Sequence, residues 1–573
     1  MQIQHINAQI LQRLHPTSST PVTSMPFKTT AKDIEQWKQN IPILNTEITG
    51  KHLQTAAQAI YTSTLPSSEK QSLAEQLYPL LVQYYNECKN KVLDIKLPLS
   101  EKNDGLTHLV LDVLDCFSDI YISIIISGDF TQLNEKKQTL ALFRAMEILG
   151  LVQLFLSLTY QAPPDSIWGD LNTLFFLAEK NKLECIDCSD QNNESNFVQT
   201  IEAKFKKIHF FHLALPNRFR QHDIDIIFKV LDKNSQTILL SKEASEEDGF
   251  IIDIDKDLPL SFFTADQQHT PTTRYINNKM LISSLLNDSV KSSGQENLSF
   301  VQTLKLSHYV LHKLLPCWQQ ESSRLFSRQK QQNEIFIYPG FQNIIKQLSS
   351  ITKKNSTSGK NKTTYKNKSL GLPGIEVIPI EGEHFKNQDF RSEKEIINKI
   401  KQSHSDFILA ENIWGQQQTK PTNDFSKINA SIKDSSASGL MFIVSADTKS
   451  IFKAGDLIAI ENNQQLQLAI IRRLNNLNID GVSIGVELIS PSIQLAEICN
   501  PDKSIRSREV LFLPAIEEIK QPDSIITLSS IKNTRMDLKL KIAQQETTFC
   551  ISKMLETNPI FTHYTLQKPL KSS

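Results

Sequence analysis

The sequence predicts a multidomain α+β protein: an α-helical bundle or helical-repeat-like N-terminal half, then a small β-barrel and an extra β-unit at the C-terminus. Three observations lead there. At 573 residues the chain exceeds what one hydrophobic core serves. Only 17 residues are glycine, which favours long helices over a chain that is β throughout. The apolar spacing also changes from helical to alternating on the far side of a Lys/Asn/Ser/Thr-rich stretch at residues 349–368.

Residues 1–60 are polar, with Pro16, Pro21, Pro26 and Pro42, and read as a partly disordered leader with a docking strand near Ile41–Leu44. Residues 61–215 read as a helical domain. Ser67 or Ser68 can cap a helix in which Leu73, Leu77, Leu80, Leu81, Tyr84 and Tyr85 share a face. Further amphipathic stretches follow around 106–127, 135–160, 164–182 and 194–214. Short β-rich runs, Ile224–Phe228, Thr237–Leu240 and Phe250–Asp255, suggest a strand-rich insertion over 216–265. A helical segment is expected over 266–345 and a flexible basic linker over 346–372. Evenly spaced strands then predict a barrel at 373–509 and a further β-unit at 510–573.

Composition narrows the function. Lys+Arg and Asp+Glu are equal at 62 each, so bulk charge recruits neither nucleic acid nor anionic lipid. The odd, scattered set of seven cysteines fits a reducing cytoplasm, and the lone Cys185-x-x-Cys188 pair lacks a second zinc half-site. The apolar runs Ile120–Ile126 and Ile148–Leu158 are too short or too interrupted to span a bilayer, and no signal-peptide pattern opens the chain. His209 and His212 share a helix face between aromatic residues and read as packing histidines. No P-loop, dinucleotide-binding or H-E-x-x-H pattern occurs, so no enzyme, metal or cofactor is expected.

One stretch carries more information. Asp434, Ser436 and Gly439 form the pattern D-x-S-x-x-G ahead of a strand-like Leu440–Ser445. An acidic residue and a serine two apart can bond donors of a ligand or of the backbone at a tight turn, and the glycine would supply a positive φ there. Leu468–Arg473 and the glycine-led Gly481–Leu488 follow at strand length. Together these segments resemble a PilZ domain, the small bacterial β-barrel that binds cyclic di-GMP. Phe143–Gly150, Ala162–Trp168 and His212–Gln221 are similar to the N-terminal region of proteobacterial proteins joining a helical part to a divergent PilZ domain.

The resemblance implies a non-enzymatic, cytoplasmic regulatory protein with cyclic di-GMP as its small ligand and a protein partner on the helical half. PilZ receptors carry an R-x-x-x-R pair some twenty to thirty residues before D-x-S-x-x-G. Here residues 401–431 contain no arginine, and the only such pair, Arg324 and Arg328, lies over a hundred residues upstream. That pair reads as the basic end of a helix. The cations left for a dianionic ligand are Arg472 and Arg473, one outward and one inward by strand alternation, or else rim charges facing Glu461 or Glu487. A rival function keeps the barrel as a nucleotide-independent docking module of a scaffold, with Asp434, Ser436 and Gly439 closing a turn.

Overall fold

The computed structural model describes residues 14, 24–189, 198–264, 269–291, 306–319, 329–330, 333–357, 427–436, 438–462, 465–499, 508–517, 521–531 and 537–569. The chain folds as two compact units. One gathers Met1–Ile95, Leu99–Pro216 and Arg220–Ser322; the other gathers Lys96–Pro98, Asn217–Phe219 and Ser323–Ser573.

The first unit is mainly helical: α1 Ala31–Gln39, α2 Thr46–Thr62, α3 Ser67–Val92, α4 Glu101–Ile126, α5 Glu135–Leu158, α6 Ile167–Lys180, α7 Ile201–Leu213 and α8 Gln221–Asn234. Polar side chains cap several of them, as Asn134 does by accepting from the Lys137 N–H at 2.9 Å. Helices α1 and α2 replace the expected loose leader between 31 and 60. Leu53, Ala56, Ala57 and Ile60 of α2 recur at helical spacing and are buried, a small-residue stripe masked in sequence by the prolines around it. The expected docking strand Ile41–Leu44 is the turn joining the two helices.

Ile224–Phe228, expected as a strand, belongs to α8. Its buried Ile224, Ile227, Phe228 and Leu231 follow a 3.6-residue period, which overrides the strand preference of the isoleucines. Four short strands do follow, β1 Leu239–Ser241, β2 Phe250–Asp253, β3 Ser261–Phe262 and β4 Thr273–Asn277, paired in the order β1-β4-β2-β3. Helices α9 Lys279–Lys291 and α10 His308–Gln319 complete the unit.

Helix α5 is apolar and long enough to cross a membrane, but 83% of its most apolar window is buried inside the protein. It is a core helix, and it carries a buried charge network. Arg144 bonds Glu75 at 3.2 Å and Glu147 at 2.9 Å, while Lys204 reaches Glu147 at 3.3 Å and Asp232 at 3.5 Å. The hydroxyls of Tyr78 and Tyr121 donate to Glu147 and Glu75. Arg144 also lies 3.9 Å over the Tyr78 ring.

The second unit is β-rich. It opens with β5 Gln329–Lys330 and β6 Glu334–Pro339, then α11 Phe341–Thr357. A strand thus occupies the end of the stretch 266–345 expected to be helical, and α11 the start of the expected linker. Residues 358–426 lie outside the described residues. Next come β7 Ile428–Ser436, β8 Gly439–Val444, β9 Leu457–Asn462, β10 Gln465–Asn476 and β11 Val482–Ser490. Their pairing order β7-β6-β9-β10-β11-β8 is closed into a ring by a β7–β8 pairing. Side chains alternate across it: Leu440, Phe442 and Val444 are buried while Met441 and Ile443 are partly exposed.

A second ring follows, built from β12 Gln494–Ile498, β13 Glu509–Leu513, β14 Ser524–Thr527, β15 Asp537–Ile542, β16 Gln545–Thr557 and β17 Thr562–Gln567. It closes in the order β12-β13-β14-β17-β16-β15. Numbered by position in the chain, both rings run first, second, third, sixth, fifth, fourth, so the two barrels share one connectivity. The expected extra β-unit is therefore a complete barrel. Outward residues of the first barrel, Leu457, Ala459, Leu466, Leu468 and Ile470, pack with Phe341 and Ile344 of α11. Ile493, Leu511, Leu513, Ile526 and Phe561 of the C-terminal barrel region join the same apolar cluster.

Candidate functional site

Asp434, Ser436 and Gly439 meet at the β7–β8 hairpin, where Ser436 pairs with Gly439. A register shift between Ile432 and Asp434 leaves Lys433 as an extra residue. Beyond it Ser435 is buried, and Asp434 and Ser436 face outward together, half exposed. The Ser436 hydroxyl donates to the Gly439 carbonyl at 3.3 Å.

Gly439 is required for closeness and not, as expected, for a positive φ; Gly340, Gly455 and Gly481 hold the positive-φ glycine positions of the described residues. A Cβ on Gly439 would stand 2.4 Å from the Val486 carbonyl oxygen on β11. Gly439→Ala should therefore force two strand backbones apart and cost about 1–3 kcal/mol. A thermal melt of the variant against the parent chain reads that loss. Gly485→Ala makes a useful contrast. Its Cβ would approach the Arg473 Cβ at 3.4 Å, an ordinary contact, so stability should barely change.

The strand register extends this site into a band. Lys330 pairs with Asp434, Asp434 with Met441, Met441 with Gly485, and Gly485 with Arg473. Directly paired residues share a face, so these five positions form one outward row across β5, β7, β8, β11 and β10. A cation stands at each end, Asp434 lies inside one of them, and Gly485 leaves bare backbone beside the other. Ser436, Gly439 and Glu487 form the parallel row next to it.

Arg472 and Arg473 do not alternate in and out. A second register shift, between Ile471 and Arg473, makes Arg472 the extra residue, and both arginines are half exposed between the buried Ile471 and Leu474. The Arg472 guanidinium donates through Nη1 and Nη2 to both Glu556 oxygens at 2.7 Å and through Nε to Glu487 at 2.6 Å. Its charge is thus committed between the two barrels. Glu461 takes neither arginine in these bonds: it accepts from the Tyr338 hydroxyl at 2.6 Å and pairs with Lys427 at 3.3 Å.

Arg324 and Arg328 lie outside the described residues. Their place in the sequence nevertheless acquires a new meaning, because Arg328 directly precedes Gln329, and β5 pairs with β7 at Ser435 and Asp434. Sequence reasoning set this pair aside on its distance along the chain. The alternating Glu334–Tyr338 followed by Gly340 was the signal that a barrel strand begins there. Lys330, Met441, Glu487 and Glu556 carried no comparable signal.

Other chemistry is not supported by the geometry. Gly481-x-Ser483-x-Gly485 has the spacing of a nucleophile elbow. Ser483, however, is buried within β11, paired with Ile443 and Asn475, and not on a strand-to-helix turn. His209 stacks on Trp168 at 5.1 Å and His212 meets the same ring edge-on at 4.7 Å, and burial lowers their pKa values to about 3 and about 4, so they are neutral packing groups. Among the described residues no group of His, Cys, Asp and Glu is arranged to hold a metal ion.

Two comparisons with known proteins bear on this band. Residues 32–245 match the family described as "Cyclic-di-GMP receptor FimW, N-terminal domain", and residues 250–494 match "Cyclic-di-GMP receptor FimW, middle PilZ domain". The chain is also similar to the cyclic-di-GMP receptor FimW of Pseudomonas aeruginosa, 20% identical over 540 residues that span 87% of this chain and 84% of that protein. No solved structure matches.

Proposed function

The chain belongs to the divergent PilZ-domain proteins that carry a helical N-terminal region, and on that premise we propose that it is a non-enzymatic, cytoplasmic receptor for cyclic di-GMP. The observation that carries this reading is the pairing of β5 with β7, Gln329 with Ser435 and Lys330 with Asp434. It puts the strand that follows Arg324-x-x-x-Arg328 directly beside the strand that bears Asp434 and Ser436.

The chemistry is complementary. A cyclic dinucleotide offers two phosphodiester charges, guanine N7 and O6 acceptors, and guanine N2–H donors. Arginine forks at 324 and 328 suit phosphates and guanine acceptors, and they stack on bases. The Asp434 carboxylate and Ser436 hydroxyl suit the guanine donors, Gly439 keeps the strands close, and Lys330 and Arg473 add positive charge at the ends of the row. In this reading Arg324 and Arg328 take the role that the sequence alone assigned to Arg472 or Arg473. The helical unit then presents the surface through which a protein partner reads the receptor.

Isothermal titration of cyclic di-GMP into the full chain tests this. Saturable binding is expected, weakened at least about tenfold by Asp434→Ala together with Ser436→Ala, since each lost base contact is worth about 1–3 kcal/mol. Absence of heat with high-micromolar ligand would favour the rival reading, a barrel kept as a docking module. The commitment of Arg472 to two glutamates is the observation that speaks for that rival.

A further inference from the structure

The C-terminal barrel repeats the connectivity of the first while lacking its binding pattern. Residues 474–505, which lead into and through its first strand, contain no arginine, and residues 514–523 between β13 and β14 contain no D-x-S-x-x-G. What it contributes instead is an apolar seam against the outward side of β10, where Leu466, Leu468 and Ile470 are buried with Leu511, Leu513 and Ile526. Arg472 lies two residues beyond Ile470, and Glu556 holds it from β16.

We propose that Arg472 is a positioning residue that couples occupancy of the outward band on the first barrel to the seam with the second. This rests on the receptor reading above. Glu487 is the link, because it stands directly opposite Gly439 on β11 and so borders the place an anionic ligand must occupy. One guanidinium bridges two carboxylates, Glu487 at the band and Glu556 on the second barrel, so the cluster keeps a net negative charge. A dianionic ligand laid beside Glu487 meets like-charge repulsion there and attracts the same guanidinium. Each step of Arg472 toward the ligand weakens its hold on Glu556. Coupling of this kind is reciprocal, so Glu556 opposes ligand binding by the amount that ligand loosens Glu556.

The test uses the full chain and cyclic di-GMP itself, with Glu556→Gln, Glu487→Gln and Arg472→Lys. Glu556→Gln keeps the size of the partner and removes its charge, so it should tighten ligand binding about tenfold. Glu487→Gln should tighten it as well, by removing the repelling charge. Arg472→Lys, which loses the bidentate fork, should weaken it. In the parent chain, ligand should speed hydrogen exchange in β16 and its neighbour β17. A merely structural salt bridge would give the opposite pattern, with Glu556→Gln leaving affinity unchanged or lower. That result in both glutamate variants, with parent binding intact and exchange in β16 unmoved, overturns the coupling and leaves the receptor reading standing. If the parent chain binds no cyclic di-GMP, the receptor reading falls and the coupling falls with it.

Discussion

Replacing Arg324 and Arg328 together by alanine is expected to raise the Kd for cyclic di-GMP at least about thirtyfold. Each arginine offers a planar fork to a phosphate or to guanine N7 and O6, and a bidentate contact of that kind is worth about 1–3 kcal/mol. Two such losses amount to roughly 2–6 kcal/mol, and each 1.4 kcal/mol is a factor of ten. The comparison that decides the assignment is Arg473→Ala, at the far end of the row from Lys330. If titration shows the larger loss with Arg473→Ala and little change with the double variant, the cationic clamp has been misplaced, although the receptor reading survives. Melting curves should be almost unchanged for the double variant, which separates a binding defect from an unfolding one.

The second large effect belongs to the helical unit. Glu147→Ala is expected to cost about 3–5 kcal/mol, the usual consequence of breaking a buried ion pair from one side. It leaves Arg144 with Glu75 and Lys204 with Asp232, each short of one partner in a site where both cations are nearly inaccessible. For a unit of this size that corresponds to a fall in Tm on the order of 10 °C. Burial would raise the Glu147 carboxyl pKa, but the charges of Lys204 and Arg144 with the Tyr78 hydrogen bond outweigh it and hold the value at about 2, below the ordinary 4.5.

The direction of the pH effect follows from which state binds more protons. Between about 4.5 and 2 the unfolded chain protonates Glu147 and the folded one does not, so stability is present above that window and is lost as pH falls through it. His209 and His212 act in a higher window. Buried neutral, with pKa values lowered to about 3 and about 4 from 6.5, they lower stability progressively as pH drops below 6.5. Thermal melts at 222 nm across pH 3–7 should show both slopes in the parent chain. In Glu147→Ala the slope below 4.5 should flatten and the histidine slope should persist. A variant that melts with the parent at pH 7 would show that the network contributes little to stability.

Much of this architecture was legible in the residues. The strand Gly439–Val444 falls on the strand-like Leu440–Ser445, Asp537–Ile542 lies inside the expected C-terminal β-unit, and α5 begins at the expected Glu135. The D-x-S-x-x-G pattern led to a real hairpin with Asp434 and Ser436 on one face. Three things were hidden for physical reasons. Pairing partners are non-local, so nothing in β5 or β6 announces that the partner of Glu334–Ile337 is Ile428–Ser431. Bulges carry no compositional mark, so strict alternation puts Arg472 and Arg473 on opposite faces, a pattern that the extra residue in β10 breaks. Arg144 and Glu147 of α5 draw partners from α3 and α7, and α7 in turn pairs with α8, so no spacing rule within one helix could supply them.

The 70-residue stretch between α11 and β7 has a kinetic consequence. Ile335 pairs with Ala430 across 95 positions of chain, while β7–β8 and β10–β11 close over a few residues. Loop-closure entropy rises with the logarithm of length, about 0.6 kcal/mol for each doubling, and high contact order slows folding. The hairpins should therefore form early and wait for β5 and β6 to dock and seal the ring. The seam that seals last is the one where Lys330 meets Asp434. On the proposed receptor reading, a ligand gripping both sides of it would act as a late-stage staple, drawing binding energy and barrel closure from the same step.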